Sequence, residues 1–177
     1  MDQEPILWGV GIALALVILI VVAAVRIVKE YERGVIFRLG RLQGAKGPGL
    51  FFIIPIIDSM VRVNLQTFTR DVHPQDIITR DNVTVRVSAV IYFNVVDPVR
   101  SVVSVQHYIL ATSQVAQTTL RSVVGQAELD ELLSDRDRIN ARLQSTIDDL
   151  TEPSRVKVTH VEVKDQELPE GMRRAKG

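Results

Sequence analysis

Apolar and polar positions alternate with two different periods along this chain, and one stretch has no period at all. Residues 6–25 carry no charge, and every one is apolar except Gly9 and Gly11. As a helix such a stretch covers about 30 Å, the hydrocarbon thickness of a bilayer. No proline interrupts residues 6–28, so a helix can satisfy its own backbone in lipid. The pattern predicts a membrane anchor over residues 1–28, with Trp8 at the outer interface. A cleaved signal peptide fits less well, because the leader carries Asp2 and Glu4 and the apolar run is too long. A buried core helix fails on the same length.

Beyond residue 28 the pattern shortens to a period of two. Val35, Phe37 and Leu39 alternate with Ile36, Arg38 and Gly40, a strand bounded by glycines. Gly47-Pro48-Gly49 marks a turn. Val61, Val63 and Leu65 alternate with Arg62 and Asn64; Phe68, Arg70 and Val72 continue, and residues 76–82 carry charged and turn-forming side chains. The longest alternation follows: Val83, Val85, Val87, Ala89, Ile91, Phe93 and Val95. Its opposite face begins with Thr84, Arg86 and Ser88 and becomes apolar at Val90 and Tyr92, so one end is expected to be covered on both sides.

Asp97-Pro98 stops that strand and opens a helical region. Ile109, Ala116, Leu120 and Val123 stripe a helix over residues 107–124, with Gly125 ending it. Ile139, Leu143, Ile147 and Leu150 stripe a second over residues 134–150, where Ser134 and Asp137 resemble a capping box. Pro153 prevents continuation. Val156 and Val158, then Val161 and Val163, form a closing strand whose alternation slips at His160, which predicts a bulge. The fold class is α+β, a mostly antiparallel sheet packed with helices behind a membrane helix.

Leu50, Phe51, Phe52, Ile53, Ile54, Pro55, Ile56 and Ile57 form a second uncharged run, closed by Asp58. As a helix it would be about 12 Å long, too short to span. Physics alone leaves two readings level: a buried strand or core loop, and a loop dipping into the membrane beside the anchor. Arg26, Lys29 and Arg33 follow the anchor and no Lys or Arg precedes it. They act as topology determinants and as contacts for anionic headgroups, and they place the N-terminus outside and the following domain in the cytoplasm.

Composition narrows the chemistry. The 21 basic and 21 acidic residues balance, which argues against a nucleic-acid partner. With no cysteine there is no thiol nucleophile, thiolate metal site or S-acylation. His73, His107 and His160 lie far apart without ligand spacing, and no nucleophile elbow, zinc-protease, P-loop or dinucleotide motif occurs. Asp130, Glu131, Asp135 and Asp137 surround a helix start, where the dipole favours negative charge. No catalytic site, cofactor or metal is expected.

Specific blocks carry a family likeness. Lys29-Glu30-Tyr31-Glu32-Arg33-Gly34-Val35-Ile36-Phe37-Arg38-Leu39-Gly40-Arg41, then Gly44-Ala45-Lys46-Gly47-Pro48-Gly49-Leu50-Phe51-Phe52 and Pro55, resemble the opening of the stomatin and slipin branch of the SPFH (band 7, prohibitin-homology) proteins. Asp81-Asn82-Val83-Thr84, Ala116-Gln117-Thr118-Thr119-Leu120-Arg121, Leu133-Ser134-Asp135-Arg136-Asp137 and Val161-Glu162-Val163-Lys164-Asp165 with Leu168-Pro169 continue the match. The resemblance implies an SPFH domain over residues 29–168 in a non-enzymatic, homo-oligomeric membrane scaffold that organises lipid microdomains and regulates a partner channel, transporter or protease. It favours the membrane-dipping reading of residues 50–57. The slipins also suggest an alternative, a regulatory subunit or substrate of a membrane serine protease. Proline and cysteines of the hairpin-type relatives are missing from the apolar segment, so a straight, prokaryotic-type span is expected. Family members continue into a long assembly helix, whereas residues 169–177 are only its stub, and a chain cut short is the favoured explanation.

Overall fold

The computed structural model describes residues 4–104 and 106–167. The blocks at Leu168-Pro169 and the helical stub over residues 169–177 lie outside them. The chain divides into two compact units, the first ending at Asn64 and the second beginning at Leu65.

In the first unit, helix α1 (Glu4–Ala24) leads into strands β1 (Val25–Val28), β2 (Glu32–Arg38), β3 (Arg41–Lys46), β4 (Gly49–Phe52) and β5 (Asp58–Asn64). β1 pairs with β4, and a second sheet has the order β3-β2-β5, all antiparallel. The helix stops at Ala24, before the residue-28 boundary expected from the sequence, and Val25 to Val28 pair with Phe52 to Gly49. Three β-branched residues in four favour that exit, and Ile53 N–H donates to the helix-end carbonyl of Ala24 at 2.9 Å. Among the described residues no helix is long and apolar enough to cross a membrane, so the span expected over residues 6–25 is not confirmed. The unit's core is small: among the described residues Val28, Val35, Ile36, Ile53 and Val63 are the buried apolar ones. Gly34 fits a tight spot, because a Cβ there would stand 2.9 Å from Met60 Sδ and 3.2 Å from the Phe51 ring.

The second unit is a three-stranded antiparallel sheet of β6 (Phe68–Ile78), β7 (Thr84–Val95) and β8 (Val156–Glu167), with β7 central. Helices α2 (Pro98–Ser104), α3 (Tyr108–Gln126), α4 (Leu129–Ser134) and α5 (Arg136–Thr151) lie between β7 and β8. Val85, Val87, Ala89, Ile91 and Phe93 form the sheet side of the core, joined by Leu120, Val123 and Val124 of α3 and by Ile139, Leu143 and Ile147 of α5. Phe68 stacks on Phe93 with ring centroids 5.6 Å apart. Val90 is buried on the opposite face, as the pattern of β7 implies. The expected bulge is present: Tyr92 pairs with His160 and Phe93 with Val158, leaving Thr159 extra.

Four details go beyond or differ from the sequence expectations. Residues 76–78 are strand, not turn, because Asp76 pairs with Arg86 across the sheet at 2.8 Å. A second bulge between Val72 and Gln75 absorbs Pro74, which has no N–H to pair. Gly125 lies inside α3 and does not end the helix; a Cβ there would meet the Ile78 carbonyl at an ordinary contact distance of 3.6 Å. Ser134 closes α4, and its hydroxyl donates to the Asp130 carbonyl at 2.6 Å. Asp135 is therefore the residue that precedes α5, with no side-chain cap.

Candidate functional site

The apolar run at residues 50–57 divides between strand and turn. Leu50, Phe51 and Phe52 lie in β4, opposite Ile27, Arg26 and Val25. Leu50 and Phe52 are exposed, whereas Phe51 is half-buried over Gly34. Ile53 is buried and Pro55 half-buried. Ile54, Ile56 and Ile57 are exposed, Ile56 completely so at 104% with φ +73°. A β-branched residue at positive φ is costly, so surrounding bonds must hold this turn.

Asp58 supplies those bonds. Its Oδ2 accepts the Ile54 N–H at 2.9 Å, while its own N–H donates to the Ile54 carbonyl at 2.9 Å. Arg38 donates from Nε to Oδ1 at 2.8 Å and from Nη2 to Oδ2 at 3.1 Å, a bidentate pair. The Arg38 hydrogen bonds, helped by that of Ile54, hold the Asp58 carboxyl below the usual carboxylate range; the same pairing raises Arg38. The Asp58 side chain is nearly buried.

Pairing Arg38 with both Arg41 and Asp58 sets the β2–β3 hairpin tip beside the start of β5. Leu39 N–H donates to the Ile57 carbonyl at 3.0 Å. Leu39 is 79% exposed at φ +49°, and Gly40 follows at φ +78°. The sequence reading gave Leu39, Arg38 and Asp58 no role beyond strand and boundary positions, and it placed in the strand a Leu39 that lies just past the end of β2. A leucine preceding glycine between two arginines, and an aspartate closing an apolar run, are the signals that mark them.

The three cations after α1 divide as well. Arg26 is exposed on β1, and Lys29 reaches over the Tyr31 ring, 5.5 Å from its centroid. A hydrogen bond with Tyr31 raises the Lys29 ammonium. Arg33 Nη1 donates to the carbonyls of Glu30 at 2.9 Å and Glu32 at 2.8 Å, so its guanidinium is engaged locally. The exposed side chains of α1 from Trp8 to Val22 are apolar or glycine.

In the second unit, His73 and His107 line one open groove of about 970 Å³ with Arg70, Tyr108 and Gln117. Beside it Gln75 Nε2 donates to the Gln117 carbonyl at 2.9 Å, and Arg121 Nη2 donates to Gln75 Oε1 at 2.9 Å. Burial pushes the Tyr108 hydroxyl up. His160 lies apart, against Tyr92. Among the described residues no cluster of three or more His, Asp or Glu side chains could hold a metal ion.

Comparisons with known proteins agree on one family. A stomatin homolog of Pyrococcus abyssi is 61% identical over 93% of this chain and 61% of its own length. An uncharacterized protein of Archaeoglobus fulgidus is 63% identical over 91% of this chain and 65% of its own. Mouse stomatin is 46% identical over 85% of this chain and 54% of its own. The chain thus spans less than two thirds of the length of these curated relatives. With the SPFH domain / Band 7 family model matching residues 26–176, the chain belongs to the SPFH, or Band 7, family.

Proposed function

We propose that this protein is a non-enzymatic membrane scaffold that self-associates, organises the lipid around it and regulates a partner membrane protein. The observation that carries this reading is the first unit's display of apolar side chains to its surroundings. Trp8, Leu19 and Val22 on α1, Leu50 and Phe52 on β4, and Ile56 in the turn are each more than half exposed. Exposed apolar side chains gathered in this number on one unit mark a lipid or protein contact. Its place in a family that includes stomatins supports lipid.

In this reading α1 is embedded in the bilayer with the N-terminus toward the outer face, and residues 50–57 enter the cytoplasmic leaflet beside it. Arg26 and Lys29 then lie at the headgroups, each worth about 1 kcal/mol near an anionic surface. The regulated partner is a channel, a transporter or a membrane serine protease. Carbonate extraction of membranes from cells expressing the full chain tests the reading. The chain is expected to stay in the pellet, and the detergent-solubilised particle is expected to exceed a monomer; release of a monomer into the supernatant would refute it.

A further inference from the structure

We infer that the β2–β3 hairpin tip at Leu39 and the turn at residues 54–57 form one two-pronged surface that enters an anionic lipid leaflet, with Asp58 as the residue that sets the spacing of the prongs. The inference deepens the membrane-contact reading of residues 50–57 and rests on it.

Two non-glycine apolar residues of this unit, Leu39 and Ile56, adopt positive φ while strongly exposed. Leucine and isoleucine gain nothing in water from such conformations. They do gain if the strained turns aim the side chains at hydrocarbon, where burying a whole aliphatic side chain is favourable. The prongs are joined by Leu39 N–H to the Ile57 carbonyl at 3.0 Å. Asp58 links them again, with one carboxylate bonded to Arg38, the neighbour of Leu39, and to the Ile54 N–H.

The occupant follows from the residues that frame the prongs. Arg41, exposed, stands across the hairpin from Arg38. With Arg38 already paired to Asp58, the exposed cation beside the apolar tips is Arg41, and apolar tips flanked by a cation fit acyl chains beneath anionic headgroups. A protein surface would have to offer two separate apolar sockets and a matching acid.

Trp8 is the chain's one tryptophan, so single reporters are available. The full chain, in a Trp8→Phe background carrying either Leu39→Trp or Ile56→Trp, is reconstituted in phosphatidylcholine vesicles containing phosphatidylglycerol, with and without brominated acyl chains. Both reporters are expected to be blue-shifted and quenched by the brominated lipid. Quenching at position 56 alone would overturn the second prong while leaving the loop reading intact. Quenching at neither position, with Trp8 of the native chain still quenched, would overturn both readings. A blue-shifted but unquenched reporter at position 39 would assign the tip to a second copy or another protein and overturn the inference. Asp58→Asn, checked for folding by circular dichroism, is expected to lose the quenching at position 39, and Asp58→Glu to restore part of it. Equal quenching with aspartate, asparagine and glutamate at position 58 would overturn the role given to Asp58.

Discussion

Asp58 connects a local strain to the acid stability of the chain. Its carboxyl, like those of Asp76 beside Arg86 and Asp81 beside Thr79, is held below the ordinary carboxylate value by hydrogen bonds in the folded state. A depressed folded value means the unfolded chain binds protons first. The stabilisation is therefore complete above about pH 4 and disappears as the pH falls through the folded values. Thermal melts should show Asp58→Asn less stable than the native chain at pH 7, with the two converging in acid; a difference that persists at the lowest pH would remove the ion pair as its cause. Gly34 makes a steric prediction at the same scale. Gly34→Val places branched carbons against Met60 and Phe51, and overpacking of this sort costs about 1–3 kcal/mol, measurable by urea denaturation.

Elements show where sequence pattern succeeds and where it stops. β7 and the α5 stripe at Ile139, Leu143 and Ile147 were legible because each buries one face, so burial imposes its own period on the sequence; Leu150, expected in that stripe, is exposed, and Thr151 is buried in the last turn instead. The slip at His160 was legible for the same reason, since a bulge shifts that period by one residue. β1 was not legible, because its partner is β4, and only pairing distant in sequence separates its four residues from the helix before them. The end of β6 was hidden by Gln75 and Asp76, polar residues satisfied by Gln117, Arg121 and Arg86 across space. Of the region around the strained turns, the sequence marked residues 50–57 by their apolar composition, while the Leu39 turn adjoins them only through β2–β5 register.

The outer edge of β8 has a further device on α5. Asn140 Oδ1 accepts the Val163 N–H at 3.0 Å, Gln144 Nε2 donates to the Thr159 carbonyl at 2.9 Å, and Asp148 Oδ1 accepts the Val158 N–H at 3.0 Å. Spaced four apart, these side chains occupy one helix face and cover an edge that would otherwise recruit strands. Asn140→Ala with Asp148→Ala should cost about 1 kcal/mol per lost bond. Light scattering should show new concentration-dependent association, and an unchanged molecular mass would argue against edge protection.

For the whole molecule, the unequal cores of the two units set their stability in water. The second unit buries Phe93, Ile91, Leu120, Ile139 and Leu143 with many smaller residues in one cluster, and its strands and helices close around that cluster. Phe93→Ala there should cost about 3–5 kcal/mol, since a central cavity cannot easily collapse. Among its described residues the first unit has five buried apolar side chains and exposes a larger set. Around 40 residues is the size below which a domain usually needs help from metals, disulfides or partners, and β1 to β5 occupy about that length. Residues 65–177 expressed alone are therefore expected to melt cooperatively in water, whereas residues 1–64 should acquire sheet signal in circular dichroism only with lipid or detergent. A non-cooperative melt from the larger piece would mean that its core depends on residues before Leu65. Sheet formed by the smaller piece in plain buffer would mean that five buried residues suffice, and that lipid is not what completes the fold of this unit.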